Sequence, residues 1–445
     1  MRKLERRAWI CLALAAVLFG GVMLFTVRFV LHGGEWASFY GNTQIYTNGE
    51  INRGAVYDRN GVLLLKCTPE GIFYNEDSTI RKATVHAVGD TKGNVACGAI
   101  NMWKSQLIGW DVLNGTYDTS AEGKSITLTI SAEANRAAYN ALGSRNGCVG
   151  VFNYETGEIL CMVNKPSFDP TGTTPSDPGD SVYFNTFLLG KVTPGSTFKT
   201  VTAAAAYDNV SDIEDFAFHC DGTNDYEGQK IKCVGVHGDV TFESAMAKSC
   251  NGAFGDIARQ VGSKTMRKYV KKVGLTTSYN VDGIETTAST FNFPDNDDVS
   301  LSWAGIGQYE DMVNPLSMIV YMGAIANVGE AIQPTLIKDS NFIKKLTGGK
   351  SLGKYLSSDT SAKLREMMKG NVTDTYGEYN YSGLDIYAKS GTAEVGTSSD
   401  NSLFVGFIDN PGHPYAFFVW VEGGSNGAGV AGPVARAVLN ELINE

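Results

Sequence analysis

Ser196-Thr-Phe-Lys199, Ser249-Cys-Asn251 and Lys389-Ser-Gly391 follow one another along the chain, and their residue types suit serine acyl transfer. A serine hydroxyl is a weak nucleophile at neutral pH and needs a base within hydrogen-bond reach. Lys199 follows Ser196 by three residues, so on a helix the two share a face. To act as that base the lysine must be neutral, although its ordinary pKa is about 10.4. A depression of about 3 units costs about 4 kcal/mol, which partial burial and a second cation can supply; Lys389 is the candidate cation. Ser249 can relay a proton to a leaving amine, and Asn251 can hydrogen-bond a substrate amide. Lys389, Ser390 and Thr392 on a strand edge can hold an anionic substrate terminus.

Each pattern is weak alone. A second S-x-x-K runs from Ser351 to Lys354, where a helix cap with a solvated lysine is expected, and further S-x-N triplets stand at Ser144 to Asn146, Ser278 to Asn280 and Ser399 to Asn401. Context selects the members. Pro194-Gly195 precedes Ser196 and a run of helix formers to Ala206, which puts Ser196 at a helix N-terminus, beside backbone N–H groups suited to an oxyanion. Lys248-Ser249 ends one helical pattern and Asn251 leads into another. Tyr387 to Ala393 reads as a strand.

The remaining pattern supplies the frame. Arg53 to Gly61 followed by Val62 to Leu65 reads as a hairpin turning at Asn60-Gly61, and Gly33 to Asn52 as a polar linker. Ile72 to Ser120 has weak periodicity and no assignable fold. Ser125 to Ile130 alternates as a strand, and Ser131 caps a helix through Leu142. Gly147 to Phe152 and Gly157 to Val163 form a hairpin, Pro166 to Pro178 a loop. Leu403 to Ile408 and Tyr415 to Val421 are strands, and Pro433 to Leu442 a terminal helix. Strands, a block of helices, then strands with a last helix make an α+β architecture.

The chain has 445 residues, 43% hydrophobic and 19% charged, enough for two or three domains. Ala8 to Val27 is a run of twenty residues without charge, long enough to cross a ~30 Å hydrocarbon core. Arg2, Lys3, Arg6 and Arg7 against Glu5 place its N-terminal side in the cytoplasm and the rest outside. The run is too long for the apolar region of a cleaved signal peptide and has no small-x-small site. The first 28 residues carry +4 and the remainder −14, which argues against nucleic acid as a partner. Of eight cysteines, Cys11 lies in the apolar run. An exported domain permits a disulfide between Cys220 and Cys233, which is expected here. His219, Cys220, Cys233 and His237 fit a zinc site only loosely, matching none of the common spacings, so neither metal nor cofactor is expected.

From Arg53 onward the chain resembles class B penicillin-binding proteins, the membrane-anchored peptidoglycan transpeptidases. The three motifs carry the resemblance first. Arg53-Gly54 with Asp58-Arg-Asn-Gly61, Gly157-Glu-Ile-Leu160 with Pro166-Ser-Phe-Asp-Pro170, and Thr193-Pro-Gly195 extend it. His237-Gly238, Ala247 to Asn251, Gly305-Ile-Gly-Gln308 with Asn314-Pro-Leu316, and Lys389 to Glu394 complete it. The resemblance implies an antiparallel sheet with helices and an all-helical subdomain. It divides the chain into an anchor over 1–31, a short mixed pedestal over 32–145 and a transpeptidase domain over 146–445. It implies Ser196 as acylated nucleophile, Lys199 as base, Ser249 and Asn251 as second motif, and Lys389, Ser390, Gly391 and Thr392 as third. Backbone N–H groups of Ser196 and Thr392 would hold the oxyanion. The substrate would be a stem peptide ending in D-Ala-D-Ala, the inhibitors β-lactams, and the partner a membrane glycan polymerase of the SEDS type. Ser390 stands where many relatives have threonine, which keeps the hydroxyl.

Alternatives share the motifs. Glu310 and Asn314 imitate the spacing of a deacylating glutamate in class A β-lactamases, but adjoin Pro315 within the transpeptidase-like stretch. A D,D-carboxypeptidase differs only in using water as acceptor, and a non-catalytic scaffold would not need complete motifs.

Overall fold

A computed structural model describes residues 2–113, 115, 123–172, 181–226, 229–338, 348–394, 396, 400–424 and 426–445. Ser120, Pro178 and Ser399, which end or begin segments read above, lie outside the described residues.

Helix α1 spans Arg2–Ala37, holding the apolar run and continuing beyond it. The expected polar linker therefore begins as helix. Gly33 and Gly34 are buried in it, and a Cβ at Gly33 would lie 2.5 Å from the Trp110 indole, one at Gly34 2.8 Å from Ser105. Glycines that read as linker are here sites where an aromatic ring from elsewhere needs room.

The following layer is a four-stranded sheet of Ala55–Tyr57, Leu63–Thr68, Gly71–Tyr74 and Ser125–Thr127. Asp58, almost fully buried, accepts backbone N–H bonds from Asn60 and Val62 across the hairpin turn and from Ala132 beyond it. One carboxylate thus shapes the turn and docks helix α2, Ala132–Leu142, whose N-cap is Ser131. The stretch without periodicity contains the helix Ser78–Val88, capped by Asp77 and buried at every position from Ala83 to Val88. Burial of every position in the second half of this helix leaves no amphipathic stripe there to read.

The main sheet has five antiparallel strands. Strands β1, Gly147–Asn153, and β2, Ile159–Lys165, form the expected hairpin, and β3, Ile386–Ala393, β4, Asn401–Asn410, and β5, His413–Val421, follow near the C-terminus. Their order is β3-β4-β5-β1-β2, so β3 is an edge. Both faces are covered. Val149, Val151, Phe404 and Phe417 join one core, while Phe152, Val405, Phe407 and Phe418 join the other. Burial on both faces makes these strands continuous apolar runs rather than alternating ones.

Helices α3, Lys199–Asn209, α4, Asn251–Val261, and α5, Pro315–Ala326, form the helical side; α5 is buried along its whole length and packs on the sheet. Helix α6, Gly432–Asn444, packs with α2 against the opposite face. The second S-x-x-K corrects the sequence reading: Ser351–Lys354 is a strand paired with Glu330–Ile332, and the nearby helix starts only at Ser358. Gly353 sits at φ 95°, which breaks helical geometry, and Lys354 stays exposed on the strand.

Gly406 in β4 faces the Tyr387 carbonyl oxygen, 2.0 Å from where a Cβ would stand. Backbone cannot yield as a flexible side chain can. Gly406→Ala is expected to cost about 1–3 kcal/mol, read as a lowered melting temperature; an unchanged one would contradict this packing.

Candidate active site

Three elements bring the motifs to one point. Gly195–Phe198 is a turn of 3₁₀ helix that runs directly into α3, so Ser196 sits one turn before the helix and Lys199 opens it. Helix Phe242–Ala247 ends just before Ser249, and α4 begins at Asn251 with Cys250 as its N-cap. Lys389, Ser390, Gly391 and Thr392 lie on edge strand β3.

Lys199 has no exposed surface. Its Nζ lies 3.0 Å from Ser196 Oγ, 3.1 Å from Ser249 Oγ, 2.7 Å from the Ser249 carbonyl oxygen and 2.6 Å from Asn251 Oδ1. The Asn251 amide is oriented by its other end, where Nδ2 donates to the Lys232 carbonyl at 2.7 Å. Two of the partners of Lys199 are therefore pure acceptors. A neutral amine has two N–H donors and one lone pair, so these oxygens take both hydrogens and leave the lone pair for a hydroxyl proton. Ser196 supplies such a hydroxyl.

Burial pushes the Lys199 ammonium from 10.5 down to about 7, against the opposing influence of Cys250 and Cys233. The sequence reading gave part of that work to Lys389. Instead burial dominates at Lys199, and Lys389 is itself held well below its ordinary value by burial first and by Lys199 second. Lys389 Nζ is 3.0 Å from Ser249 Oγ and 2.9 Å from the Ser390 carbonyl oxygen. Ser249 Oγ consequently stands between two buried amines, a continuous path from Ser196 to Lys389. Ser249 adopts φ 51°, a left-handed conformation that a non-glycine residue keeps only where its surroundings enforce it.

Glycines let the first and third motifs touch. Gly195 has φ 51°, and a Cβ there would lie 2.6 Å from the Thr392 carbonyl oxygen. At Gly391 a Cβ would meet Thr197 at 2.9 Å and the Pro194 oxygen at 3.0 Å. The Gly195 N–H donates to the Gly307 carbonyl at 2.9 Å, fixing the turn from behind. The Ser390 N–H donates to the Tyr376 hydroxyl at 2.8 Å. Ser390 and Thr392 are half-buried and pair with Phe404 and Ser402 across β4.

The penicillin binding protein transpeptidase domain family matches residues 147–440. The chain belongs to that family. It is a serine transpeptidase by descent, and the three motifs lie within the matched region. Among curated proteins it is 27% identical over 358 residues to peptidoglycan D,D-transpeptidase PbpA of Mycobacterium tuberculosis, covering 72% of this chain and 73% of that one. It is 25% identical over 418 residues to stage V sporulation protein D of Bacillus subtilis, covering 86% of this chain and 61% of that one. The crystal structure of penicillin-binding protein A from M. tuberculosis superposes with a TM-score of 0.75 at 23% identity, over 88% of this chain and 99% of that one, which shows a common fold.

All eight motif residues of the transpeptidase converge. Glu310 does not: it is exposed and bonds Asn292 Nδ2 at 2.7 Å, while Asn314 is buried as the cap of α5 and holds the Leu188 and Gly190 carbonyls. The β-lactamase-like spacing is therefore a helix start. The expected disulfide is likewise replaced, since Cys220 and Cys233 are thiols with sulfurs 3.6 Å apart. Sequence reasoning did not single out Tyr376, Gly195 or Gly307. Gly195 had a signal in its place before Ser196 and Gly307 in the stretch Gly305 to Gln308; Tyr376 had none, being brought in by packing.

Gly195→Ala is expected to displace the Ser196 turn from β3. Serine acylation should slow at least about tenfold, the equivalent of 1.36 kcal/mol, while the far-UV circular dichroism spectrum is unchanged. Wild-type rates would contradict the backbone contact.

Proposed function

We propose that the chain is a membrane-anchored peptidoglycan D,D-transpeptidase in which Ser196 is acylated by the D-Ala-D-Ala end of a stem peptide. The carrying observation is a buried Lys199 amine 3.0 Å from Ser196 Oγ, with both its hydrogens engaged by carbonyl oxygens. The names of relatives such as peptidoglycan D,D-transpeptidase PbpA support the substrate class. The penicillin G acyl-enzyme complex of penicillin-binding protein A from M. tuberculosis, of the fold shared here, supports inhibition by β-lactams.

In this reading Lys199 accepts the Ser196 proton as Oγ attacks the penultimate D-Ala carbonyl. The N–H groups of Ser196 and Thr392 stabilise the oxyanion. The proton passes through Ser249 to the departing amine, and the terminal D-Ala leaves. Asn251 hydrogen-bonds the peptide backbone, and the hydroxyls of Ser390 and Thr392, with the buried Lys389 behind them, hold the terminal carboxylate. An amine of a neighbouring stem then attacks the ester, Lys199 takes its proton and returns it to Ser196 Oγ as the ester bond breaks, and the cross-link forms with free Ser196 restored. Helix α1 fits the anchor over 1–31, with the pedestal over 32–145 and the transpeptidase domain over 146–445 outside the plasma membrane. A glycan polymerase of the SEDS type, itself in the membrane, is the partner this placement suits.

A fluorescent penicillin should label the wild-type chain covalently and fail to label Ser196→Ala; equal labelling of both would overturn the assignment. Incubation of a donor stem with an acceptor amine should yield cross-linked dimer, whereas tetrapeptide alone would indicate a carboxypeptidase.

The base must be neutral, so the acylation rate should rise with pH through about 7 and level off above it. Lys199→Met should lower the rate about 10²–10⁴-fold and abolish that limb. A flat profile in the wild-type protein would remove Lys199 from the role.

A further inference from the structure

Three sulfurs and an imidazole meet behind the second motif. Cys220 ends the strand Ala217–Cys220, and Cys233 follows the strand Gln229–Lys232. His237 precedes the strand Gly238–Thr241, and Cys250 is the middle residue of Ser249-Cys-Asn251. Cys220 Sγ is 3.6 Å from Cys233 Sγ and 3.5 Å from His237 Nδ1, and Cys233 Sγ is 3.8 Å from Cys250 Sγ. All four atoms lie within 4.8 Å of one another. His219, the other histidine of this stretch, turns outward to Asp239 and Asp221 and is exposed.

These separations fit the edges of one coordination tetrahedron. With Zn–S at ~2.3 Å and Zn–N at ~2.0–2.1 Å, tetrahedral geometry requires sulfur pairs about 3.8 Å apart and sulfur–nitrogen pairs about 3.6 Å apart. A disulfide would draw two sulfurs to about 2.05 Å and leave the third thiol and the imidazole without purpose. Among the described residues no carboxylate joins the set, which disfavours the oxygen-seeking cations calcium and magnesium, whereas thiolates with imidazole favour zinc. Cys220 and Cys250 are buried, and four protein ligands leave no open position for water. A second layer of contacts supports the ligands: the Gly252 N–H donates to Cys233 Sγ at 3.5 Å, and Lys248 Nζ donates to the His237 carbonyl at 3.0 Å.

We propose that Cys220, Cys233, His237 and Cys250 bind one Zn²⁺ in a closed Cys₃His site that fixes the second catalytic motif. Cys250 stands between Ser249 and Asn251, so the ion grips the chain between the two residues that contact Lys199. Asn251 is held from the same side by the Lys232 carbonyl, one residue before Cys233. The ion ties the segment 217–241 to the start of α4 and sustains the left-handed backbone of Ser249. Its part is positional, and it takes no share in acyl transfer.

Metal content decides this independently of any peptidoglycan activity. The full-length chain, purified in detergent without chelator, is assayed for zinc by elemental mass spectrometry, and its cobalt-substituted form by absorbance. Near one zinc per chain and the charge-transfer bands of tetrahedral cobalt thiolate are expected. Cys233→Ser and His237→Ala should lose the zinc, His237→Cys should keep it, and His219→Ala should be indistinguishable from wild type. Should the ligand variants fail to fold, chelation of the wild-type protein replaces them: zinc removal should expose three thiols to maleimide and slow Ser196 acylation at least tenfold, with recovery on zinc addition. Metal well below stoichiometric with the three thiols free, or a disulfide among them in the isolated protein, would overturn the proposal. Zinc retained in His237→Ala together with Cys233→Ser would overturn the ligand assignment.

Discussion

A lysine with no exposed surface must give up either its hydration or its proton, and the architecture around Ser196 follows from that choice at Lys199. Burial shifts the balance to the neutral amine near pH 7. Two carbonyl oxygens then occupy both N–H donors, so the lone pair has a direction as well as an availability. Lys354, three residues after Ser351, is instead exposed on a strand, and its Nζ donates to the Val328 carbonyl at 2.8 Å. The contrast shows that S-x-x-K is chemically meaningful only where the fold buries it.

Burial of one lysine imposes conditions on its neighbours. A second buried amine, Lys389, approaches from the sheet, and the Ser249 hydroxyl separates the two at 3.1 and 3.0 Å. Ser249 holds this place at the expense of a left-handed backbone, which needs rigid surroundings. On one side lies the junction of two helices, on the other the cluster of Cys220, Cys233, His237 and Cys250. The motif that looks least informative in sequence is therefore the most heavily braced.

The third constraint is steric. The Ser196 turn and strand β3 come into backbone contact only because Gly195 and Gly391 have no side chains. Thr392 is thereby brought beside the residue preceding the nucleophile. The buried sheet behind them, with apolar side chains on both faces, gives this contact a rigid base.

Much was legible in the sequence because local chemistry carried it. The motif order, the apolar run, the Asn60-Gly61 hairpin, the Ser131 cap and the strands rich in apolar residues depend on neighbours within a few positions. Readings failed where distant residues set the environment. Gly33 and Gly34 are buried in a helix against Trp110 and Ser105, which leave no room for a Cβ. The helix Ser78–Val88 shows no stripe in its second half because that half is buried on every side. Ser351–Lys354 pairs as a strand with Glu330–Ile332. The cysteine pair 220 and 233 acquires a third sulfur from the second motif. By itself the sequence determined which groups could carry out acyl transfer. Tertiary structure alone decided that Lys199 is dry, that two of its partners only accept, and that Cys250 faces Cys233, because hydration and side-chain convergence depend on segments up to 190 residues away, from Lys199 to Lys389.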